Sequence, residues 1–201
     1  NLTNLSIEQV HSAVTNSESV RPFQLRGAQH MVIQATNDDL VSIDITNVIS
    51  RGEMLQYSLL DSVGKEIHSG LTSHETSFSF PSRSGQYYHL LLSARAASYT
   101  VRIQNAPSVV STQMRDGLHF LGKCTPIYFH VADDVEAFTL DLRSGFPGET
   151  TQAELFNPDG QLVSSFTTVD KPVDTQSVKT LGSDAGFWKL VISEAPQGAL
   201  D

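Results

Sequence analysis

Apolar and polar residues alternate along most of the chain after residue 20. The alternation is clearest at Val41, Ile43 and Ile45, where each apolar residue is followed by a polar one. A period of two indicates strands with one buried and one solvated face, as in antiparallel sheets. The pattern predicts strands at residues 31–33, 41–45, 55–59, 76–80, 87–92 and 99–103. A second series is predicted at residues 117–121, 127–131, 137–142, 151–156, 162–166, 177–181 and 187–192.

One turn sequence appears twice. The apolar residues Leu155 and Phe156 are followed by Asn-Pro-Asp-Gly at residues 157–160, and the next apolar residue is Leu162. Asn and Asp bond their own turn backbone, Pro fixes φ, and Gly accepts a positive φ, so this segment predicts a β-hairpin. A similar turn sequence, Leu-Leu-Asp-Ser-Val-Gly-Lys-Glu-Ile, lies at residues 59–67, which is 96 positions earlier in the chain.

Other segments repeat in the same order, which suggests an internal duplication. They are residues 38–45 with 133–140, residues 84–88 with 185–189, and residues 103–107 with 192–196. The offsets between the copies differ by a few residues, as insertions in loops would cause. A spacing near 95 residues exceeds a solenoid repeat of about 20–50 residues and matches about one β-sandwich domain.

We therefore expect an all-β chain of two tandem antiparallel β-sandwiches, of jelly-roll or Ig-like type, at residues 20–106 and 107–197. Residues 105–116 would form the junction. The alternative is one large sandwich of about 180 residues with accidental symmetry. Residues 1–19 are predicted to be a leader. Ser6 and Gln9 there have capping-box spacing, so a short helix near residues 6–14 competes with an extended segment.

Composition excludes several classes of protein. The net charge is −9 with 13 Lys and Arg, and no basic run occurs, which argues against nucleic acid and anionic lipid as partners. No apolar run approaches about 18 residues, so no membrane-inserted helix is expected. The single cysteine, Cys124, allows no disulfide within the chain.

The sequence carries no motif of nucleophilic, zinc-protease or nucleotide chemistry, so we expect no enzyme activity. His119, Cys124 and His130 form the only His and Cys cluster. Their spacing fits no common zinc pattern, and scattered strand residues are the simpler interpretation.

Two acidic pairs follow the duplication, namely Asp38 with Asp39 and Asp133 with Asp134. Carboxylates grouped at a turn could hold calcium. The competing interpretation is turn chemistry, because Asp side chains also satisfy turn backbones. We expect no other cofactor.

Aromatic side chains are the candidate ligand-binding residues, because a ring face packs against apolar surface. Tyr88, Tyr128 and Trp188 are the candidates, with Tyr87 and Phe187 beside them. Trp188 precedes Leu190 and Ile192 at a period of two, which favours the core. Tyr88 and Tyr128 are the better candidates for exposure.

Three motifs together resemble the bacterial pre-peptidase C-terminal domain and related small jelly-roll modules. They are Leu-Leu-Asp-x-x-Gly-Lys at residues 59–65, Gly-x-Tyr-Tyr at residues 85–88 and Tyr-x-Val-x-Ile at residues 99–103. The second copy keeps residues 155–162 and Gly186 to Trp188 but lacks the final Tyr-x-Val strand.

This resemblance implies a non-catalytic accessory module of a secreted or cell-envelope bacterial protein. Its localisation would be extracellular, periplasmic or in the cell envelope, and its partner a polysaccharide, a matrix protein or a neighbouring domain of the parent protein. The alternative is a structural spacer or protein-interaction domain that positions a neighbouring catalytic domain of the parent protein.

Overall fold

A computed structural model describes residues 24–49, 51–111, 117–119, 126–145, 148–181 and 184–197. The predicted leader and Cys124 lie outside these ranges. The described chain is built of fifteen antiparallel strands without an α-helix, which confirms the all-β prediction. No helix within the described ranges is long and apolar enough to cross a bilayer. The chain divides into two compact units, Asn1–Leu121 and Gly122–Asp201.

The first unit is an antiparallel β-sandwich. Its strands are β1 (Gln24–Arg26), β2 (Gln29–Gln34), β3 (Leu40–Ile49), β4 (Leu55–Leu60), β5 (Glu66–Thr72), β6 (Glu75–Pro81), β7 (Tyr87–Ser93), β8 (Ser98–Gln104) and β9 (Ser108–Val110). One sheet has the order β1-β8-β3-β6 and the other β5-β4-β7-β2-β9. Alternate residues of both sheets enclose one core, with Val41, Ile43 and Ile45 fully buried as their alternation predicts.

The second unit has six described strands. They are β10 (Ile127–Val131), β11 (Ala137–Arg143), β12 (Thr151–Phe156), β13 (Leu162–Thr167), β14 (Val173–Lys179) and β15 (Gly186–Glu194). A four-stranded sheet has the order β10-β15-β12-β13, and β11 pairs with β14. Leu142 and Val178 of the pair share a core with Leu155, Phe166 and Trp188 of the larger sheet.

The two units share one strand order. Sheet order β5-β4-β7-β2 in the first unit corresponds to β13-β12-β15-β10 in the second, and the pair β3-β6 corresponds to β11-β14. Strands β1, β8 and β9 have no counterpart among the described strands of the second unit. The missing counterpart of β8 is the Tyr-x-Val strand that the second copy lacks in sequence.

The repeated turn forms the same hairpin in both units. Asp61 Oδ1 accepts hydrogen bonds from the N–H groups of Val63 and Lys65, at 3.0 and 2.9 Å. Asn157 Oδ1 accepts one from the N–H of Gln161, at 2.8 Å. Both hairpins also have a register shift just before the turn. A short polar side chain that bonds its own turn is therefore what fixes each hairpin.

Strand register changes the alignment between the copies. Tyr88 lies opposite Ile33 of β2, and Trp188 lies opposite Phe129 of β10, so these two aromatic residues are counterparts. The sequence match of residues 84–88 with 185–189 instead pairs Tyr87 with Trp188. This match is wrong by one position, and a shift of one residue moves a side chain to the other face of a sheet.

The predicted match of residues 103–107 with 192–196 is also wrong. Ile103 lies on β8, opposite Ile43. Ile192 lies on β15, opposite Ala153 of β12. The equivalent position in the first unit is that of Leu92 on β7, which lies opposite Tyr57 of β4. The two segments end alike in sequence but belong to different strands.

The predicted junction at residues 105–116 contains a strand. Strand β9 pairs with Met31, Val32 and Ile33 of β2, so it extends a sheet of the first unit. The compact units separate after Leu121, whereas the sequence placed the boundary between residues 106 and 107. The strand predicted at residues 177–181 begins earlier, at Val173. In the strand predicted at residues 117–121, residues 117–119 are not in a strand and residues 120–121 lie outside the described ranges.

Candidate functional site

The outer face of the four-stranded sheet in the second unit carries a group of aromatic side chains. On β15, Trp188 is buried in the core. Because successive side chains of a strand point to opposite faces, Phe187 and Lys189 point outward. On β10 the same alternation places Tyr128 and His130 on this outer face, which agrees with the exposure predicted for Tyr128. The face is defined by Tyr128, His130, Phe156, Phe187 and Lys189, and is called the aromatic face below.

Three of these residues form a row across neighbouring strands. Lys189 of β15 lies opposite Tyr128 of β10 on one side and opposite Phe156 of β12 on the other. Lys189 Nζ lies 4.3 Å from the centroid of the Phe156 ring. At this distance an ammonium group is attracted to the ring face. The row therefore combines two aromatic rings with one cation.

The second row of the aromatic face pairs His130 with Phe187. Their ring centroids are 5.2 Å apart and the planes meet at 68°, an edge-on contact. His130 is exposed, while the ring of Phe187 is half-buried against the sheet. Tyr128 and Phe156 are also half-buried, so each ring keeps part of its surface for a ligand.

Polar side chains continue the same face towards the edge strand β13. Glu154 lies opposite Ser165, and Gln152 lies opposite Thr167. Gln152, Ser165 and Thr167 also line an open depression of about 300 Å³, together with Asp170. Ring surface and hydrogen-bonding groups therefore lie side by side. This arrangement suits a ligand that has both C–H surface and hydroxyl groups.

The other two aromatic candidates lie in the cores. Trp188 is 1% exposed, which agrees with the core position favoured by its alternation, and Tyr88 is 3% exposed. The expected exposure of Tyr88 is wrong, because register places it beside Ile33 in the first core. Its hydroxyl accepts a hydrogen bond of 3.0 Å from the N–H of Arg83. Neither ring offers a free face to a ligand, so Tyr128 is the one of the three predicted candidates that remains as a stacking residue.

The acidic pairs are exposed turn residues. Asp38 Oδ1 accepts a hydrogen bond of 2.8 Å from the N–H of Ser84, which is the turn chemistry weighed against calcium. Leu40 is the first residue of β3 that pairs with β6, and Ala137 is the first residue of β11 that pairs with β14. The residues just before them, Asp39 and Glu136, therefore occupy corresponding positions. Asp133 and Asp134 therefore do not occupy the places of Asp38 and Asp39. In the part of the chain that the structure describes, no three His, Cys, Asp or Glu residues are grouped as for a metal ion.

The residues of the predicted His and Cys cluster are divided between the two units. His119 belongs to the first unit and His130 to the second, where it contacts Phe187. Cys124 lies outside the described ranges. His130 thus contributes to the aromatic face rather than to a cluster of metal ligands.

Sequence reasoning missed Phe156 and Lys189. A signal for both exists, because Leu155 and Trp188 alternate into the core and their neighbours must point outward. What the alternation cannot supply is the pairing of β12 with β15, which places the two residues opposite each other.

No protein-family model matches this chain. No curated protein matches it either.

Proposed function

We propose that this chain is a non-catalytic binding module of a secreted or cell-envelope bacterial protein, and that its second unit binds carbohydrate on the aromatic face. The observation that carries the proposal is the row of Tyr128, Lys189 and Phe156 with Phe187 beside it. A pyranose ring has an apolar C–H face that packs on aromatic rings and a hydroxyl rim that bonds to polar side chains.

The chemistry of the flanking residues supports a neutral or weakly acidic sugar. Lys189 supplies an ammonium donor, while Glu154 and Gln152 supply acceptors on the neighbouring strand. Hydroxyl groups both donate and accept, so this mixture can satisfy several of them at once. We propose no cofactor for the site and no catalysis, because binding alone needs only this surface.

The resemblance to pre-peptidase C-terminal modules rests on the repeated turn and the Gly-x-Tyr-Tyr segment, and it supports an accessory role outside the cytoplasm. A module of that kind can hold its parent protein on a polymer. The proposed partner is therefore a polysaccharide, bound beside a neighbouring domain of the parent protein.

A second candidate is a spacer or protein-interaction module, and the first unit favours it. Leu71 and Leu91 are 59% and 40% exposed on the outer face of the five-stranded sheet. A contiguous apolar patch on a sheet face is typical of a surface that contacts another protein, and these two leucines contribute apolar surface to one face. Under this alternative the two units position a catalytic domain and bind no glycan.

Affinity electrophoresis and calorimetry with soluble glucans, mannans, xylans and chitin oligosaccharides test the proposal on the full chain. The Phe187→Ala and Tyr128→Ala variants are expected to lose about tenfold in affinity each. Losing about 60 Å² of buried apolar contact, at about 25 cal/mol per Å², costs about 1.5 kcal/mol, which is close to tenfold.

Tyr87→Ala is the matched control. Tyr87 takes the place of Phe187 in the first unit, on β7, and is 38% exposed. Its removal should leave glycan affinity unchanged. The fluorescence of Trp188, which is the single tryptophan of the chain, checks that the second unit of each variant is folded. Absence of binding to every polysaccharide, or equal losses in all three variants, would favour the spacer.

A further inference from the structure

Two histidines meet on the outer face of the five-stranded sheet in the first unit. His30 lies on β2 and His89 on the neighbouring strand β7. In the pairing of β2 with β7, His30 lies opposite Leu91 and His89 lies opposite Val32, so the two histidines are diagonal neighbours. Met31, which follows His30, is buried in the core, so the imidazoles take the outer face.

The separation of the two rings is the first argument for a metal site. His30 Nε2 and His89 Nδ1 are 3.0 Å apart, and the ring centroids are 5.1 Å apart. Two imidazole nitrogens on one metal ion, each at about 2.0–2.1 Å with an angle of about 90–110° between them, are about 2.8–3.4 Å apart. The pair therefore has the spacing of two ligands of one ion.

The protonation of the pair is the second argument. A hydrogen bond between two imidazoles needs one nitrogen with a proton and one without. Two neutral imidazoles meet this requirement, because each ring keeps one nitrogen with a proton and one without. An ion bound to one side of the line between the two nitrogens, with both rings turned towards it, replaces the shared proton and leaves His30 protonated on Nδ1 and His89 on Nε2. Two neutral imidazoles can therefore bind it without net proton release.

The surroundings limit how many ligands this chain supplies. Glu66 lies in the row of His89, two strands away, and its carboxylate accepts hydrogen bonds from Ser58 and Ser69. Within the described residues no third His, Cys, Asp or Glu completes a group with the two histidines. An ion here would have two protein ligands and free positions on the solvent side.

We propose that His30 and His89 form a two-nitrogen site for a divalent transition-metal ion, with its other positions open to water or an external ligand. Imidazole ligands favour Cu²⁺, Ni²⁺ and Zn²⁺, with Cu²⁺ bound most tightly. Calcium and magnesium prefer oxygen ligands and are expected not to bind. This site is independent of the proposed carbohydrate binding, because it lies in the other unit.

The test is a titration of the tag-free full chain with copper, nickel and zinc salts at pH 7, followed by calorimetry. One chelated ion per chain is expected, with Cu²⁺ the tightest and nitrogen hyperfine splitting in its paramagnetic resonance spectrum. His30→Gln and His89→Gln should each weaken binding at least about tenfold. The double variant should be no weaker than either single variant, because one lost nitrogen already removes the chelate.

His68→Gln and His74→Gln are the matched controls, since both histidines are exposed residues of the same unit. Both variants should bind the metal as the unchanged chain does, and circular dichroism without metal checks that all four variants are folded. The proposal is overturned if the unchanged chain binds no Cu²⁺ at micromolar concentrations. It is also overturned if His30→Gln and His89→Gln bind as tightly as the controls, or if their losses add in the double variant.

Discussion

Trp188 Nε1 donates a hydrogen bond of 2.9 Å to the carbonyl oxygen of Asp184, in the segment that leads into β15. The indole is 1% exposed and meets the Phe138 ring edge-on, with centroids 5.1 Å apart. One side chain thus fills the second core and also fixes the segment before its own strand. Tyr88, its counterpart in the first unit, does the same through Arg83.

The Trp188→Phe variant tests this double role. Phenylalanine is smaller than tryptophan and has no N–H, so the variant leaves a cavity and an unpaired Asp184 carbonyl. We expect the second unit to lose about 2–4 kcal/mol of unfolding free energy. Urea unfolding followed by circular dichroism measures the loss. In Tyr88→Phe only a hydroxyl is removed, and a loss of about 1 kcal/mol is expected. Equal losses in the two variants would contradict the argument.

Gly70 is expected to tolerate no side chain. A Cβ atom built at Gly70 would lie 2.5 Å from Tyr57 Oη and 2.7 Å from its Cζ. The Tyr57 ring cannot move away easily, because it stacks on Phe78 at 5.4 Å between centroids. Gly70→Ala should therefore destabilise the first unit by about 1–3 kcal/mol.

The sign of the Gly70→Ala effect is decisive. Replacing glycine by alanine at an unstrained site stabilises a protein by about 0.4–1 kcal/mol, because the unfolded chain loses freedom. A higher urea midpoint for Gly70→Ala would show that Tyr57 can move aside. Ser73→Ala, at an exposed residue between β5 and β6, is the control and should change stability by less than about 0.5 kcal/mol.

The Tyr99 hydroxyl is expected to stabilise the turn between β1 and β2. It donates a hydrogen bond of 2.9 Å to the carbonyl oxygen of Gly27, and Tyr99 is 0% exposed. Burial raises the pKa of Tyr99 above its ordinary value, so the hydroxyl remains a donor at alkaline pH. Tyr99→Phe should lower the unfolding free energy of the first unit by about 1–2 kcal/mol. An unchanged urea midpoint would mean that water replaces the hydroxyl at no cost.

The hydrogen bonds of Asp174 predict that the second unit becomes less stable at acidic pH. Its carboxylate accepts hydrogen bonds from Lys171 at 2.7 Å, from the N–H of Thr167 and from Gln176. The Lys171 hydrogen bond, followed by those from Thr167 and Gln176, lowers the pKa of Asp174 below its ordinary value. Because the pKa of Asp174 is lower in the folded state, its ionised carboxylate stabilises the fold at pH values above the unfolded-state pKa of about 3.9. This stabilisation is lost as the pH falls through the folded-state pKa.

Thermal unfolding monitored by Trp188 fluorescence between pH 7 and pH 2.5 measures this contribution. The midpoint should fall below about pH 4 in the unchanged chain. Asp174→Asn keeps the side-chain shape but cannot ionise. Its thermal unfolding midpoint should therefore be lower than that of the unchanged chain at pH 7 and should change less between pH 7 and pH 2.5. Parallel curves for the two proteins would assign the acid sensitivity to other carboxylates. Asp159→Asn, in the exposed hairpin turn, is the control and should follow the unchanged chain.

Much of the fold could be predicted from single strands and turns. The alternation at Val41 and Ile43 and the turns at Asp61 and Asn157 depend on neighbouring residues only, and the structure confirms each of them. The predicted start of β14 is wrong by four residues, and the three-residue strands β1 and β9 were not predicted. Strand β9 has only three residues, and it forms because the edge of β2 offers it backbone hydrogen bonds.

The candidate sites were less predictable because they depend on register. Tyr87 and Tyr88 begin a run in which apolar residues do not alternate, so the sequence could not say which of them is buried. The pairing of β7 with β2 decides it, and Tyr88 enters the core. Phe156 and Lys189 are 33 positions apart and become neighbours only when β12 pairs with β15.

The sequence by itself determined that this chain forms antiparallel strands joined by tight turns, because a period of two and the turn residues act over a few positions. Only the tertiary structure decided which strands pair. That choice gathered Tyr128 and Phe187 on one face and brought His30 within 3.0 Å of His89. The reason is physical: strand register is set by packing two sheets around a core, and residues far apart in the chain share in that packing.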